Sequence, residues 1–295
     1  MTAAIAPANG IEIAYETHGD PADEPLLLVM DLGAQLTAWP IELVDALVDR
    51  GFFVIRYDNR DVGLSTKFSD DGIEVLTSLM QAMQGESVAA PYLVSDMAAD
   101  GMALLDHLGL ASAHIVGASM GGMIAQAMAI EHPERVRTLT SIMSTTGDTD
   151  AGVPTPEAMA VLLRPVATTR EEAIEASVLG SKAIAGPAHF DEAVARERAE
   201  AAYDRCYHPV GTARHLLAIV ASGSRAEGLA AIDVPTVVIH GDADPLITPG
   251  GGVRTAELIP GAELIMIEGM GHDLPPAVIG QVVEAVTSLA ARTRV

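Results

Sequence analysis

Residues 113–130 read AHIVGASMGGMIAQAMAI and carry the clearest structural signal in the chain. It opens with a short apolar run of the kind that forms a buried strand. Residues 120–130 are apolar on nearly every side, which is typical of a buried helix. Ser119 lies between the two segments, flanked by Gly117 and Gly121 in the pattern Gly-x-Ser-x-Gly. The stretch therefore predicts a strand, a tight turn that presents one serine, and a helix.

Similar apolar runs recur along the chain and alternate with helical patterns. The predicted strands cover residues 12–17, 26–30, 53–57, 113–117, 138–143, 236–240 and 263–267. Residues 26–30 and 237–239 are continuously apolar, as in central strands covered on both faces. Apolar residues at helical spacing over 97–108 and 279–289 predict helices that lie on the sheet. The alternation predicts an α/β fold with a mostly parallel, doubly wound sheet of about eight strands.

The alternation stops between residues 146 and 228. This segment is rich in Ala, Glu and Arg, with Pro and Gly breaks. We expect it to form a helical cap over one end of a core made from residues 1–145 and 229–295. The cap is inserted after the strand predicted at 138–143, which is the sixth of the expected eight or so. A second long connection, residues 66–91, shows no pattern of its own and can also lie over that end.

Composition excludes several classes of partner. The 295 residues are 49% hydrophobic, enough for a sizeable core, and carry a formal net charge of −23 with only two lysines, Lys67 and Lys182. Such an acidic surface repels phosphate backbones and anionic lipids, so we expect no nucleic-acid or membrane partner.

The sequence has no apolar stretch near 20 residues and no signal-peptide pattern, and Cys206 alone makes no internal disulfide. We therefore expect a cytoplasmic protein.

Ser119 is the candidate nucleophile. Small neighbours permit a strained turn that holds its hydroxyl at the carboxyl end of the sheet, and the following helix N-terminus favours negative charge. The alternative is that Gly117, Gly121 and Gly122 only allow close packing or cradle a phosphate. No lysine follows these glycines, however, and their spacing differs from that of a dinucleotide-binding turn. The pattern favours a serine nucleophile.

A serine hydroxyl needs a base, and the base needs a carboxylate. Of nine histidines, His272 stands out because it follows the last predicted strand, at the edge where α/β sheets bind ligands. The alternative role for His272 is to cap the next helix. Asp244, held before a proline after the strand at 236–240, is the favoured carboxylate, while Asp242 and Asp148 remain alternatives.

Four stretches carry a family resemblance: LLLVM at 26–30, YDNRDVGLS at 57–65, the serine turn, and GMGH at 269–272. The order Ser119, Asp244, His272 is also that of the α/β-hydrolases. Over nearly its whole length the chain resembles this superfamily, and within it the bacterial serine carboxylesterases that include the aclacinomycin methylesterases. The resemblance implies a hydrolase that cleaves a small-molecule carboxylic ester through an acyl-enzyme, with no cofactor or metal, as a monomer or homodimer.

An ester hydrolase also needs donors for the oxyanion of its tetrahedral intermediate. The resemblance implies that the backbone N–H groups of Met120 and Leu32 supply them. The family usually has His-Gly at the end of its third strand, which corresponds to the strand predicted here at 26–30, whereas this chain has Met30-Asp31 there. Because the donor is a backbone group, the side chain need not match.

Asp58 and Arg60 form a charged pattern with Gly63 and Ser65 at another strand end. One interpretation is substrate recognition. We favour a salt-bridged turn that shapes the site from behind.

Apolar residues at the predicted strand ends and in the cap predict an apolar, uncharged acyl or alkyl group, since methionine fills irregular spaces. The expected substrate contacts are Met30, Met143, Leu162, Tyr203 and Met270.

Other activities use the same scaffold. Lactonases, carbon–carbon bond hydrolases and cofactor-free haloperoxidases keep a serine triad and remain alternatives. Epoxide hydrolases and haloalkane dehalogenases use an aspartate nucleophile, and Ser119 argues against both. A ligand-binding protein without turnover is the alternative outside enzymes.

Overall fold

A computed structural model of the chain describes residues 3–69, 77–78, 80–81, 86 and 88–293, and its centre is an eight-stranded sheet. The strand order is β1-β2-β4-β3-β5-β6-β7-β8. β1 and β2 are antiparallel to their neighbours, and the other six strands are parallel. The strands are β1 (Ala4–Ala8), β2 (Ile11–His18), β3 (Glu24–Val29), β4 (Phe52–Tyr57), β5 (Ala113–Ala118), β6 (Val136–Ile142), β7 (Thr236–Gly241) and β8 (Glu263–Ile267).

The mostly parallel sheet is therefore confirmed. Much of the connection at 66–91 falls on positions outside the described residues, so its predicted place over the sheet lies outside them too.

The sequence did not predict β1. Its residues are mostly alanine and include Pro7, which gives a weak local strand signal. The strand lies at the edge of the sheet, where Pro7 is opposite Glu12 of β2. An edge strand tolerates a proline because one side of its backbone needs no partner. Pairing with β2, rather than local preference, produces this strand.

The helices cover both faces of the sheet, as the doubly wound prediction requires. On one face α1 and α10 pack with apolar strand residues such as Leu26 and Val116, and on the other face α2 and α3 pack with Leu27 and Ile115. The helices are α1 (Ile41–Val48), α2 (Val94–His107), α3 (Met120–Glu131), α4 (Pro156–Leu162), α5 (Arg170–Ile184), α6 (Glu192–Arg205), α7 (Pro209–Ser222), α8 (Ala226–Leu229), α9 (Gly250–Leu258) and α10 (Pro276–Ala291). Among the described helices, none combines the length and hydropathy needed to cross a bilayer.

Helices α4 to α8 lie between β6 and β7, where the cap was expected. Within this segment α5 and α6 share a small apolar cluster built on Ile174, Val178 and Ala199. The exact limits of the cap, 146 and 228, and the flanking core segments stay a prediction.

The loop after β4 joins the core to the cap through buried charges. Asp61 accepts hydrogen bonds from Arg214 of α7, at 2.7 and 3.0 Å, and from the hydroxyl of Tyr92 at 2.8 Å. A buried ion pair of this kind is sensitive to the loss of either partner. The contact fixes α7 against the core.

Asp58 and Arg60 lie in the same loop and are held by structural contacts. The Asp58 carboxylate accepts the N–H groups of Leu36 and Leu64, while Arg60 makes two 2.7 Å hydrogen bonds to Asp100. These contacts agree with a salt-bridged turn behind the site.

Candidate active site

Ser119 occupies the turn between β5 and α3 in a conformation that L-amino acids rarely adopt. Its φ and ψ angles are 53° and −117°. Such strain persists only where the surroundings fix it. A Cβ atom added to Gly117 would overlap the backbone of Gly121, and one added to Gly121 would overlap the carbonyl of Val29 in β3. The Gly-x-Ser-x-Gly pattern is thus required by the close approach of the turn, α3 and β3.

The structure brings Ser119, His272 and Asp244 together at the carboxyl end of the sheet. Nε2 of His272 lies 2.8 Å from the Ser119 hydroxyl oxygen, and Nδ1 lies 2.7 Å from the Asp244 carboxylate. Because a carboxylate can only accept, Nδ1 carries the proton and Nε2 is free to take one from the serine. All three residues are at most 5% exposed. The arrangement can move a proton from the serine hydroxyl to the imidazole.

Asp244 is held in place by the turn after β7. One carboxylate oxygen accepts the N–H groups of Leu246 and Ile247, and the other faces His272. Burial alone raises the pKa of the Asp244 carboxyl, but the rings of His272 and His240 lower it to about 2. The carboxylate is therefore ionised at neutral pH and oriented towards the imidazole.

The alternative carboxylates have other partners. Asp242 accepts the N–H of Gly269, and Asp148 pairs with Arg254 at 3.0 Å. Within the part of the chain that the structure describes, no group of three or more His, Cys, Asp or Glu side chains is placed to hold a metal ion.

His272 is positioned by the cap as well as by the loop after β8. The backbone N–H of His272 donates to the carbonyl of Ile184, the last residue of α5, at 2.7 Å. Burial alone lowers the pKa of the imidazole, but the charges of Asp244, Asp31 and Asp273 together raise it above its usual value. The ring therefore has the proton affinity of a general base.

The two expected oxyanion donors differ in their surroundings. Met120 is the first residue of α3, where backbone N–H groups lack acceptors within the helix. The N–H of Leu32, in the loop after β3, donates to the carboxylate of Asp31. The roles of Met120 and Leu32 as oxyanion donors stay a prediction.

Asp31 was not among the predicted site residues. Its departure from the family's His-Gly pattern was the one signal in the sequence. The structure places its carboxylate 3.8 Å from Nε2 of His272, with the side chain 24% exposed. Ser144 was also missed, and its hydroxyl donates to the carbonyl of Ser119 at 2.8 Å, which braces the turn.

The expected substrate contacts fall into two groups. Met30, Met143 and Met270 are buried in the apolar cluster on the α1 and α10 side of the sheet. Leu162, in α4, is partly exposed, and Tyr203, in α6, stacks on a second tyrosine of the cap at 4.7 Å. Contact of these side chains with substrate stays a prediction.

Comparison with known proteins identifies the family. The sequence profile described as "alpha/beta hydrolase fold" matches residues 24–275. The chain therefore belongs to the alpha/beta hydrolase fold family. Two solved structures share this fold: a meta-cleavage product hydrolase from Pseudomonas fluorescens IP01, with a TM-score of 0.79, 20% identity and 99% of each chain covered, and a thermophilic esterase from Thermogutta terrifontis, with a TM-score of 0.71, 22% identity and 100% of each chain covered.

Two curated relatives indicate which kind of hydrolase the chain is. The chain is 33% identical over 286 residues to the rhodomycin D methylesterase DauP of Streptomyces sp. (strain C5) and, to the same extent, to DnrP of Streptomyces peucetius. Each match covers 89% of this chain and 89% of the relative. The protein is a carboxylic ester hydrolase, and the predicted resemblance to the methylesterase group is confirmed.

Proposed function

We propose that the protein hydrolyses esters through an acyl-enzyme on Ser119, with His272 as the base and Asp244 as its orienting carboxylate. One observation carries the proposal: a continuous hydrogen-bonded path of 2.8 and 2.7 Å runs from the Ser119 hydroxyl through the imidazole to Asp244. The backbone conformation of Ser119, with φ 53° and ψ −117°, supports the same assignment, because residues in such strained conformations cluster at active sites.

The geometry supports two successive steps, acylation and deacylation, in each of which His272 accepts a proton and then returns it. In acylation the Ser119 oxygen bonds to the ester carbonyl carbon while its proton passes to Nε2 of His272. The carbon–oxygen bond to the alcohol then breaks, and the imidazolium returns the proton to the leaving oxygen. In deacylation water attacks the acyl carbon, Nε2 takes its proton, and Ser119 leaves with that proton as the acid is released. Asp244 stabilises the imidazolium in both steps.

The oxyanion would be held by the backbone N–H groups of Met120 and Leu32. The Leu32 donor serves this role once the Asp31 carboxylate turns away from it. A single donor of this kind contributes about 10²- to 10³-fold to kcat.

We further propose that the substrate is the methyl ester of an uncharged, apolar molecule. Asp31 and Asp273 place negative charge beside His272, which disfavours an anionic group near the scissile carbonyl. The curated relatives are methylesterases by name. The proposed apolar contacts are Met30, Met143, Leu162, Tyr203 and Met270. Since Ser119, His272 and Asp244 belong to one chain, either a monomer or a homodimer carries a complete site.

The test compares Ser119→Ala with wild type on p-nitrophenyl esters from acetate to laurate and on methyl esters of polycyclic aromatic acids. Ser141→Ala is the matched control, because Ser141 is a buried serine of β6 outside the site. We expect turnover and labelling by a fluorophosphonate, read by intact mass, in wild type and Ser141→Ala, and neither in Ser119→Ala. Turnover that survives in Ser119→Ala contradicts the proposal.

A further inference from the structure

Helix α7 of the cap reaches the loop that follows β3, here called the oxyanion loop and comprising residues 30–33. The contact is made by His215, which is fully buried. Its Nδ1 lies 3.2 Å from the backbone nitrogen of Gly33, and its Nε2 lies 2.7 Å from the carbonyl oxygen of Arg60. One side chain therefore connects the oxyanion loop to the loop after β4.

The two partners fix the protonation of the His215 ring. A carbonyl oxygen only accepts hydrogen bonds, so Nε2 carries the proton and donates to Arg60. Nδ1 is then the acceptor for the Gly33 N–H. Burial lowers the pKa of His215 to about 4, which keeps the ring neutral around neutral pH. The ring thus holds both loops in its neutral form.

Packing around the ring supports the same contact independently of the hydrogen bonds. Gly33 has a φ of 66°, and a Cβ atom added there would overlap the side chain of Thr212 in α7. The same helix also lies against the loop after β4, since a Cβ on Gly211 of α7 would overlap the carbonyl of Asp61. Arg214 pairs with Asp61 from the same helix. The helix is therefore fixed against both loops, and His215 joins them from a rigid position.

We infer that His215 is a positioning residue for the oxyanion hole, setting the direction of the Leu32 N–H by holding the next peptide group at Gly33. This inference rests on the proposed function. A donor that must meet a developing charge is effective only when its geometry is fixed beforehand, and a misplacement of about 1 Å can cost 10²-fold in rate. His215 does not touch the reacting atoms and acts through the loop.

Two conservative variants separate the two hydrogen bonds. In His215→Asn the side-chain oxygen occupies the place of Nδ1 and can accept from Gly33. In His215→Gln the side-chain nitrogen occupies the place of Nε2 and can donate to Arg60. Each variant keeps one bond and loses the other, so their stabilities should be similar. His215→Leu removes both bonds at similar volume.

We expect His215→Leu and His215→Gln to lower kcat about tenfold to a hundredfold and to leave KM nearly unchanged, because oxyanion contacts form in the transition state. His215→Asn should retain most of the wild-type kcat. Ser222→Ala is the matched control: Ser222 accepts the N–H of Val94 from the far end of α7, away from the oxyanion loop. This variant should keep wild-type kcat.

Thermal unfolding of every variant shows that the rates come from folded protein. If His215→Leu fails to fold, the comparison of His215→Asn with His215→Gln still tests the inference. A Gln variant as active as the Asn variant overturns the inference, as does a folded Leu variant with wild-type kcat. These outcomes leave the proposed function standing, which fails only if Ser119→Ala retains turnover.

Discussion

The carboxylate of Asp31 lies 3.8 Å from Nε2 of His272, the same nitrogen that faces the hydroxyl of Ser119 at 2.8 Å. The imidazole therefore has a carboxylate near each nitrogen, with Asp244 at Nδ1 and Asp31 at Nε2. The two charges act in the same direction, since both favour the protonated ring. They differ in exposure, because Asp244 is buried and Asp31 is partly solvated.

The first prediction concerns the pH dependence of activity. The base must be neutral to accept the serine proton, so activity falls as the pH drops through the pKa of His272. Burial lowers this pKa, and the charges of Asp244, Asp31 and Asp273 outweigh burial and raise it. Asp31→Asn removes one of the three charges, so the acidic limb of kcat/KM should move to lower pH.

The measurement is the pH profile of kcat/KM for a neutral ester. Asp49→Asn is the control, because Asp49 is an exposed carboxylate at the end of α1 and the substitution makes the same change in net charge. Its profile should match that of the wild type. An acidic limb of Asp31→Asn that stays in place or moves to higher pH contradicts this account of the His272 environment.

Three site residues could be predicted from the sequence because each has a recognisable local sequence context. Ser119 could be found because the backbone contacts of its turn exclude side chains at Gly117 and Gly121, which leaves a readable pattern. His272 and Asp244 could be found because each follows a predicted strand, and parallel strands bring their carboxyl ends to one edge. The structure places His272 within hydrogen-bonding distance of both Ser119 and Asp244.

The contacts that the sequence did not predict depend on the assembled fold. Strand β1 forms by pairing with β2 despite its weak local preference. Arg214 and Asp61 are 153 positions apart, and nothing in the local pattern of either residue identifies the other. The contact between Asp31 and Leu32 depends on the conformation of a loop, which residue types alone do not determine.

The second prediction separates Asp244 from its neighbour Asp242. In Asp244→Asn the side-chain amide can donate to Nδ1, which favours the tautomer with its proton on Nε2 and blocks transfer from Ser119. We expect kcat to fall about 10⁴-fold, as in serine triads of the same geometry, with little change in KM. Steady-state kinetics with a p-nitrophenyl ester measures both constants.

Asp242→Asn is the matched control for that experiment. Its carboxylate accepts the N–H of Gly269 and is exposed, so we expect a kcat close to that of the wild type. A larger loss in Asp242→Asn than in Asp244→Asn would transfer the orienting role to Asp242 and overturn the present assignment.

The last prediction compares one substitution at two helical glycines. In α3, a Cβ on Gly121 would overlap the carbonyl of Val29, the residue before the oxyanion loop. In α10, a Cβ on Gly280 would meet nothing within 4 Å. Gly121→Ala should therefore lower the free energy of unfolding by about 1–3 kcal/mol through overpacking, and lower kcat by displacing the loop. Gly280→Ala should raise the free energy of unfolding by up to about 1 kcal/mol, because alanine favours helix, and leave kcat unchanged.

Urea unfolding and ester kinetics on both variants measure these opposite effects. If Gly121→Ala is as stable and active as Gly280→Ala, then close packing between α3 and β3 is not what requires glycine after the serine.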